Sequence, residues 1–144
     1  MNRIERSVSC FKQGFSCSQA VLSAFSDLFG LHRETALKIS QAFGGGMARM
    51  GQTCGAVTGA LMVIGLKHGR VKAEDTEAKE KTYAVVREFV ERFRSKNGSI
   101  ICKELLDCDI STPQGMKTAE EKKLFDTLCP KLVQSASEIL EQVL

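Results

Sequence analysis

At 144 residues, with 43% hydrophobic and 26% charged side chains, the chain has room for one packed core, and its proportions exclude the disordered and fibrous classes. Its 20 Lys and Arg against 17 Asp and Glu give a net charge of +3, with basic and acidic residues interleaved, which argues against nucleic acid as a partner. The charged start Met1-Asn2-Arg3-Ile4-Glu5-Arg6 has no apolar run of the secretory kind, and the longest apolar stretch, Ala56 to Leu66, would reach only ~16 Å as a helix, about half of a bilayer core; the expectation is a cytoplasmic protein with no membrane span.

Helical spacing recurs along the whole chain and no stretch alternates as a half-buried strand does. The predicted fold is therefore all-α, a single domain over residues 1–144 built as a helical bundle of about five to seven helices around a central apolar helix. Ile4, Val8, Phe11 and Phe15 mark a first stripe, interrupted at Gly14. Ser16-Cys17-Ser18-Gln19 reads as a capping box opening a second helix that buries Ala20, Val21, Ala24, Phe25 and Leu28 and ends at Gly30. A short helix from about Glu34 to Phe43 follows, then the irregular loop Gly44-Gly45-Gly46-Met47-Ala48-Arg49-Met50-Gly51.

Beyond Thr53, read as an N-cap, the segment Cys54 to Ile64 is apolar around nearly its whole circumference and is taken as the central helix. Gly55 and Gly59 share one of its faces and admit another backbone, each at roughly 1 kcal/mol in helix propensity. The longest helix is placed at Glu74 to Lys96, with Val85, Val86, Phe89, Val90 and Phe93 facing inward and Asn97-Gly98 at its end. Ser99 is expected to cap a short helix carrying Cys102, Leu105 and Leu106; Ser111-Thr112-Pro113-Gln114-Gly115 reads as a loop and Thr118-Ala119-Glu120-Glu121 as a second capping box. The final helix starts at Cys129-Pro130 and packs Leu132, Val133, Ala136, Ile139, Leu140 and Val143.

Six cysteines are many for a compartment that keeps thiols reduced. Cys17, Cys54, Cys102 and Cys129 each fall in the first turn of a predicted helix, whereas Cys10 and Cys108 do not. The partial positive charge there favours an anion by about 0.3–1 kcal/mol, and so thiolate over thiol. Four such thiols suit a dithiol system or an anionic metal–sulfur cluster, and Cys17 and Cys54, each behind a hydroxyl side chain, are expected to react first. No CxxC is present, which excludes zinc-ribbon, bacterial-ferredoxin and thioredoxin patterns, so any shared site is assembled by folding. The alternative is a non-catalytic helical interaction module whose cysteines only pack.

Phe15 to Leu22, Gly44-Gly45-Gly46 leading into Gly51-Gln52-Thr53-Cys54-Gly55-Ala56-Val57-Thr58-Gly59-Ala60, and then Cys102 and Cys129, together resemble the redox-active family named for its C_GCAxxG_C_C cysteine signature. The central motif here reads CGAxxG, with Gly55 where the family has its cysteine. A similar domain accompanies split-Soret cytochromes, where it is associated with an iron–sulfur centre. The resemblance implies a small redox-active protein in which Cys17, Cys54, Cys102 and Cys129 are redox thiols or ligands of an iron–sulfur cluster, with Gly45, Gly46, Gly55 and Gly59 around the cofactor. Without a CxxCH no haem is expected. A redox partner is implied and a homodimer is open.

Other groups carry less. The glycine loop has the outline of a phosphate-cradling turn, but lacks both the Lys-Ser/Thr ending and a preceding strand. Met47, Met50 and Met62 suit soft metals and, more commonly, core gaps. His32 and His68 have no second ligand at helical spacing and are read as structural.

Overall fold

A computed structural model describes residues 1–144. The chain forms α1 (Arg3–Lys12), α2 (Cys17–Phe25), α3 (Arg33–Ser40), a one-turn segment α4 (Gly44–Met47), α5 (Gly55–His68), α6 (Thr76–Asn97), α7 (Cys102–Leu106), α8 (Pro113–Glu121), the single turn α9 (Leu124–Thr127) and α10 (Cys129–Val143). Its one β feature is an antiparallel bridge between Thr53 and Ile101. The all-α prediction holds, with five substantial helices, α1, α2, α5, α6 and α10, packed against one another and short turns filling one end.

Local chemistry explains most boundaries. Asn2 and Glu5 form a capping box on α1, and Ser16 and Gln19 form the expected one on α2. Asp75 accepts from the Ala78 N–H at the start of α6, and Gly98 closes that helix in the left-handed region at φ 94. Three caps fall elsewhere than the sequence suggests. Cys54 itself, not Thr53, is the N-cap of α5. Ser99 accepts from the Ile101 N–H and donates to Glu104, one turn ahead of α7. Thr118 lies inside α8, where its hydroxyl donates to the Gln114 carbonyl, because Thr112 caps that helix with Pro113 at its first position. The segment read as a loop at 111–115 thus begins a helix.

The core centres on the α2–α5 pair. On α2, Ala20, Val21, Leu22, Ala24 and Phe25 are buried, and α5 contributes Ala56, Val57, Ala60, Val63 and Ile64. Phe89 and Phe93 of α6 stack with centroids 6.0 Å apart, and α10 adds Leu132, Val133, Ala136, Ile139 and Leu140. The buried Ser7 and Ser137 hydroxyls share a hydrogen bond of 2.7 Å, joining α1 to α10 without leaving either unsatisfied. The apolar helix α5 is less enclosed than its all-round hydrophobicity predicts: Leu61 and Met62 are half-buried and Leu66 is 37% exposed. No helix is long and apolar enough to cross a membrane.

Gly59 explains how α2 and α5 come so close. A Cβ there would lie 2.8 Å from the Ser18 carbonyl oxygen and 3.2 Å from its Cα, so the two backbones are in contact. Replacing Gly59 with Ala should cost about 1–3 kcal/mol, the usual range for overpacking a tight interface. Gly65→Ala, in the same helix with nothing within 4 Å of its Cβ, should instead stabilise by up to about 1 kcal/mol through helix propensity. Urea midpoints of the two variants check the pair, and equal shifts in both would contradict this account of the interface.

Candidate functional site

Four segments meet at one end of the bundle, and each delivers a cysteine. The Ser16 cap fixes the start of α2 and so the position of Cys17, the first helical residue. Gly55 then lets α5 approach: its Cβ would meet the Ser18 N at 3.0 Å and the Cys17 Cβ at 3.2 Å, which sets Cys54 beside Cys17. Residues 51–54 run against 100–103. The Cys54 N–H donates to the Ile100 carbonyl at 2.7 Å, and the Cys102 and Lys103 N–H groups donate to the Gln52 and Gly51 carbonyls at 2.6 and 3.1 Å. This short ladder ties Cys102 to Cys54. Cys129 arrives at the first turn of α10, ahead of Pro130.

The strap joining α3 to α5 is conformationally unusual. Gly45, Gly46, Met47, Ala48 and Arg49 all have φ between 53° and 69°, which makes α4 a left-handed turn. Such a turn costs roughly 1–2 kcal/mol for each residue other than glycine, here Met47, Ala48 and Arg49. Hydrogen bonds hold it closed: the Arg49, Gly51 and Gln52 N–H groups donate to the carbonyls of Gly44, Gly45 and Gly46 at 3.1, 3.2 and 2.8 Å. Glycine is required within it, since a Cβ on Gly46 would lie 2.7 Å from the Cys102 Cβ, and one on Gly44 2.7 Å from the Ser16 Cβ.

These elements enclose a cavity of about 1420 Å³ lined by Cys17, Cys54, Cys102 and Cys129. Phe11, Phe15, Leu105, Leu106, Ile110 and Met116 supply apolar walls, and Lys12, Gln19, Gln41, Arg49, Glu120 and Asp126 supply polar groups. Gly45, Gly46 and Gly55 line it, as does Gly44, which the sequence reading left out although it opens the same glycine run. Gly59 does not. Its role is the α2–α5 contact rather than the cavity.

Cys10 lies elsewhere, buried with its sulfur 3.7 Å from the Ser23 hydroxyl. Cys108 is outside the cavity lining, as expected, and packs against the small apolar cluster that contains Cys102 and Cys129. Sequence spacing gave no signal for that packing, which lies beyond the left-handed turn of Asp107, φ 53°, at the end of α7.

Electrostatics correct the expectation that helix starts lower the thiol pKa values. Burial pushes Cys54 up to about 11, although the Ala56 and Val57 N–H groups favour its thiolate, and Cys102 up to about 12, with Cys54, Cys129, Cys108 and Asp109 adding repulsion. Pairing with the Cys129 sulfur, then burial and the neighbouring thiols, holds Cys17 well above the ordinary thiol range, while the same pairing lowers Cys129 alone. Cys17 is part-exposed and lines the cavity. Desolvation therefore outweighs the helix terminus at Cys54 and Cys102, pairing with Cys129 leads at Cys17, and Cys129 is the most readily ionised of the cavity thiols.

No three His, Cys, Asp or Glu side chains converge as needed to hold a single metal ion. The donor set is nonetheless chemically uniform, four thiols facing one largely apolar space, and it fits a polynuclear iron–sulfur cluster, whose thiolates bind separate irons. Within the cavity, alkylation of the reduced, metal-free protein at pH 8 should therefore modify Cys129 before Cys54 and Cys102, as peptide mass mapping can establish; Cys54 leading would contradict the burial argument. Stability should respond to pH in a definite direction. Cys54 and Cys102 ionise near pH 8.5 when unfolded but at about 11 and about 12 when folded. Above pH 8.5 the folded chain thus holds more protons, and its stability falls as pH rises toward 11 and 12. Cys54 contributes up to about 1.4 kcal/mol per pH unit over that window, so the urea midpoint of Cys54→Ser should fall less steeply there than wild type.

No curated protein and no solved structure matches the chain. A family model described as "Putative redox-active protein (C_GCAxxG_C_C)" matches residues 15–143, a span that holds all four cavity cysteines and both glycine-rich segments around them. With its all-helical fold and thiol-lined cavity, the chain belongs to that redox-active family.

Proposed function

We propose that the protein is a small electron carrier whose Cys17, Cys54, Cys102 and Cys129 hold a polynuclear iron–sulfur cluster in the cavity between α2, α5, α7 and α10. The observation that carries this reading is the meeting of four thiols, drawn from four separate helix starts, on one cavity. Packing alone gives no reason for that grouping. A bound cluster would supply reversible one-electron transfer to a redox partner.

The chain's own groups support such a role in three ways. Burial holds Cys54 and Cys102, and pairing with Cys129 together with burial holds Cys17, as thiols in the metal-free protein, so these ligands lose their protons only when iron compensates the charge. Ala56 and Val57 direct N–H groups at the Cys54 sulfur, and hydrogen bonds to ligand sulfurs are among the factors that set a cluster's potential. The apolar walls from Phe11, Phe15, Leu105 and Leu106 limit water at the thiolates.

A dithiol reading has one specific observation in its favour, the electrostatic pairing of Cys17 and Cys129 on the shared cavity, which raises one thiol and lowers the other. In it, those two residues form a disulfide by passing two electrons and two protons to a disulfide of a partner, which is reduced to two thiols. Anaerobic purification followed by iron and acid-labile sulfide analysis separates the two. The cluster reading expects both elements, a broad visible absorption bleached by dithionite, and loss of iron on changing any of Cys17, Cys54, Cys102 or Cys129 to Ser, with Cys10→Ser retaining it. A colourless, iron-free protein that cycles a Cys17–Cys129 disulfide would establish the dithiol instead.

A further inference from the structure

Cys108 occupies a position that the four-cysteine reading does not use. It packs against the apolar cluster formed by Cys102, Leu106, Ile110, Ala119 and Cys129, near enough to Cys102 and Cys129 for their charges to act on one another. It does not line the cavity. Cys108 is half-exposed, whereas Cys102 and Cys129 are 8% and 7% exposed. Cys108 is thus a fifth thiol outside the cavity lining, packed against the cluster that contains two of the cavity thiols. Thiol–disulfide exchange needs in-line access to sulfur, which a buried thiol denies to a bulky disulfide and a half-exposed one offers. Cys10, the remaining cysteine, is buried beside Ser23 and has no such neighbour.

We propose that Cys108 is a relay thiol that carries oxidation from low-molecular-weight disulfides of the glutathione class to Cys102 or Cys129, withdrawing one thiol from the cavity. The Cys108 thiolate attacks one sulfur of the disulfide RSSR, forming a mixed disulfide and releasing RS⁻, which takes up a proton. The thiolate of Cys102 or Cys129 then attacks the Cys108 sulfur, closing a protein disulfide and releasing the second RS⁻. Two protein thiols give up two electrons and two protons, and RSSR becomes two RSH. The consequence for cluster binding rests on the iron–sulfur reading; the exchange itself does not.

The test uses the full chain, reduced and metal-free, exposed to oxidised glutathione, quenched in acid and mapped by mass spectrometry. The expected course is a transient glutathione adduct on Cys108, then a disulfide from Cys108 to Cys102 or Cys129. Cys108→Ser and Cys108→Ala should both slow loss of the cavity thiols by about tenfold or more, because the accessible attacking sulfur is gone. A first adduct on Cys17 through the cavity mouth, or an unchanged rate in both variants, would overturn the relay. Iron uptake by the wild-type chain tests the cluster reading alone: a chain that takes up no iron yet still forms the Cys108 adduct sinks that reading and upholds the relay.

Discussion

The backbone contact between α2 and α5 is the constraint on which the rest of the site depends. Gly59 lets the two helices touch along the Ser18 backbone, and Gly55 repeats the arrangement at the helix starts, where the Cys17 Cβ is its neighbour. Any side chain at either position would push the helices apart and separate Cys17 from Cys54. The same contact therefore sets core packing and thiol spacing. The propensity lost by placing two glycines in a helix, roughly 1 kcal/mol each, is offset by the apolar residues that close approach lets α2 and α5 bury together, Val21, Leu22, Val57 and Ala60 among them.

Around that contact the cavity is finished by irregular backbone. The bridge at Thr53 and Ile101 holds Cys102 to Cys54 through main-chain hydrogen bonds, which are indifferent to which side chains the two segments carry. The left-handed turn from Gly45 to Arg49 forms a wall in which Gly46 lies too close to Cys102 for any side chain. Its strain at Met47, Ala48 and Arg49 is sustained because the surrounding hydrogen bonds leave the segment no other path, and strain of this kind concentrates at sites rather than in scaffolds.

Two electrostatic effects compete at the four thiols, and their sizes decide the outcome. A helix terminus favours a thiolate by about 1 kcal/mol or less when exposed, whereas desolvation moves a buried group by several pKa units. Cys54 and Cys102 follow desolvation. Cys129 escapes because its pairing with Cys17 favours the thiolate more than burial disfavours it. The result is a site that is electrically quiet when empty of cations and has one sulfur ready to ionise first.

Much of this was legible in the sequence. The 3.6-residue spacing fixed the helical class, Ser16 with Gln19 marked the start of α2, and the placing of Cys17, Cys54, Cys102 and Cys129 at helix starts singled out four of six cysteines. Those features are local: periodicity, capping and spacing act within a few residues of chain. What the sequence could not yield depends on neighbours far along it. The left-handed turn continues through three residues other than glycine, against their intrinsic preference, and is closed by hydrogen bonds from Arg49, Gly51 and Gln52 to Gly44, Gly45 and Gly46. The rise at Cys54 and Cys102 comes from burial by other helices, that at Cys17 from its pairing with Cys129, and Cys108 packs against the Cys102–Cys129 cluster beyond the left-handed turn at Asp107. Local chemistry thus determined which thiols begin helices, and only tertiary packing, through desolvation and long-range contact, decided which of them meet and which ionises first.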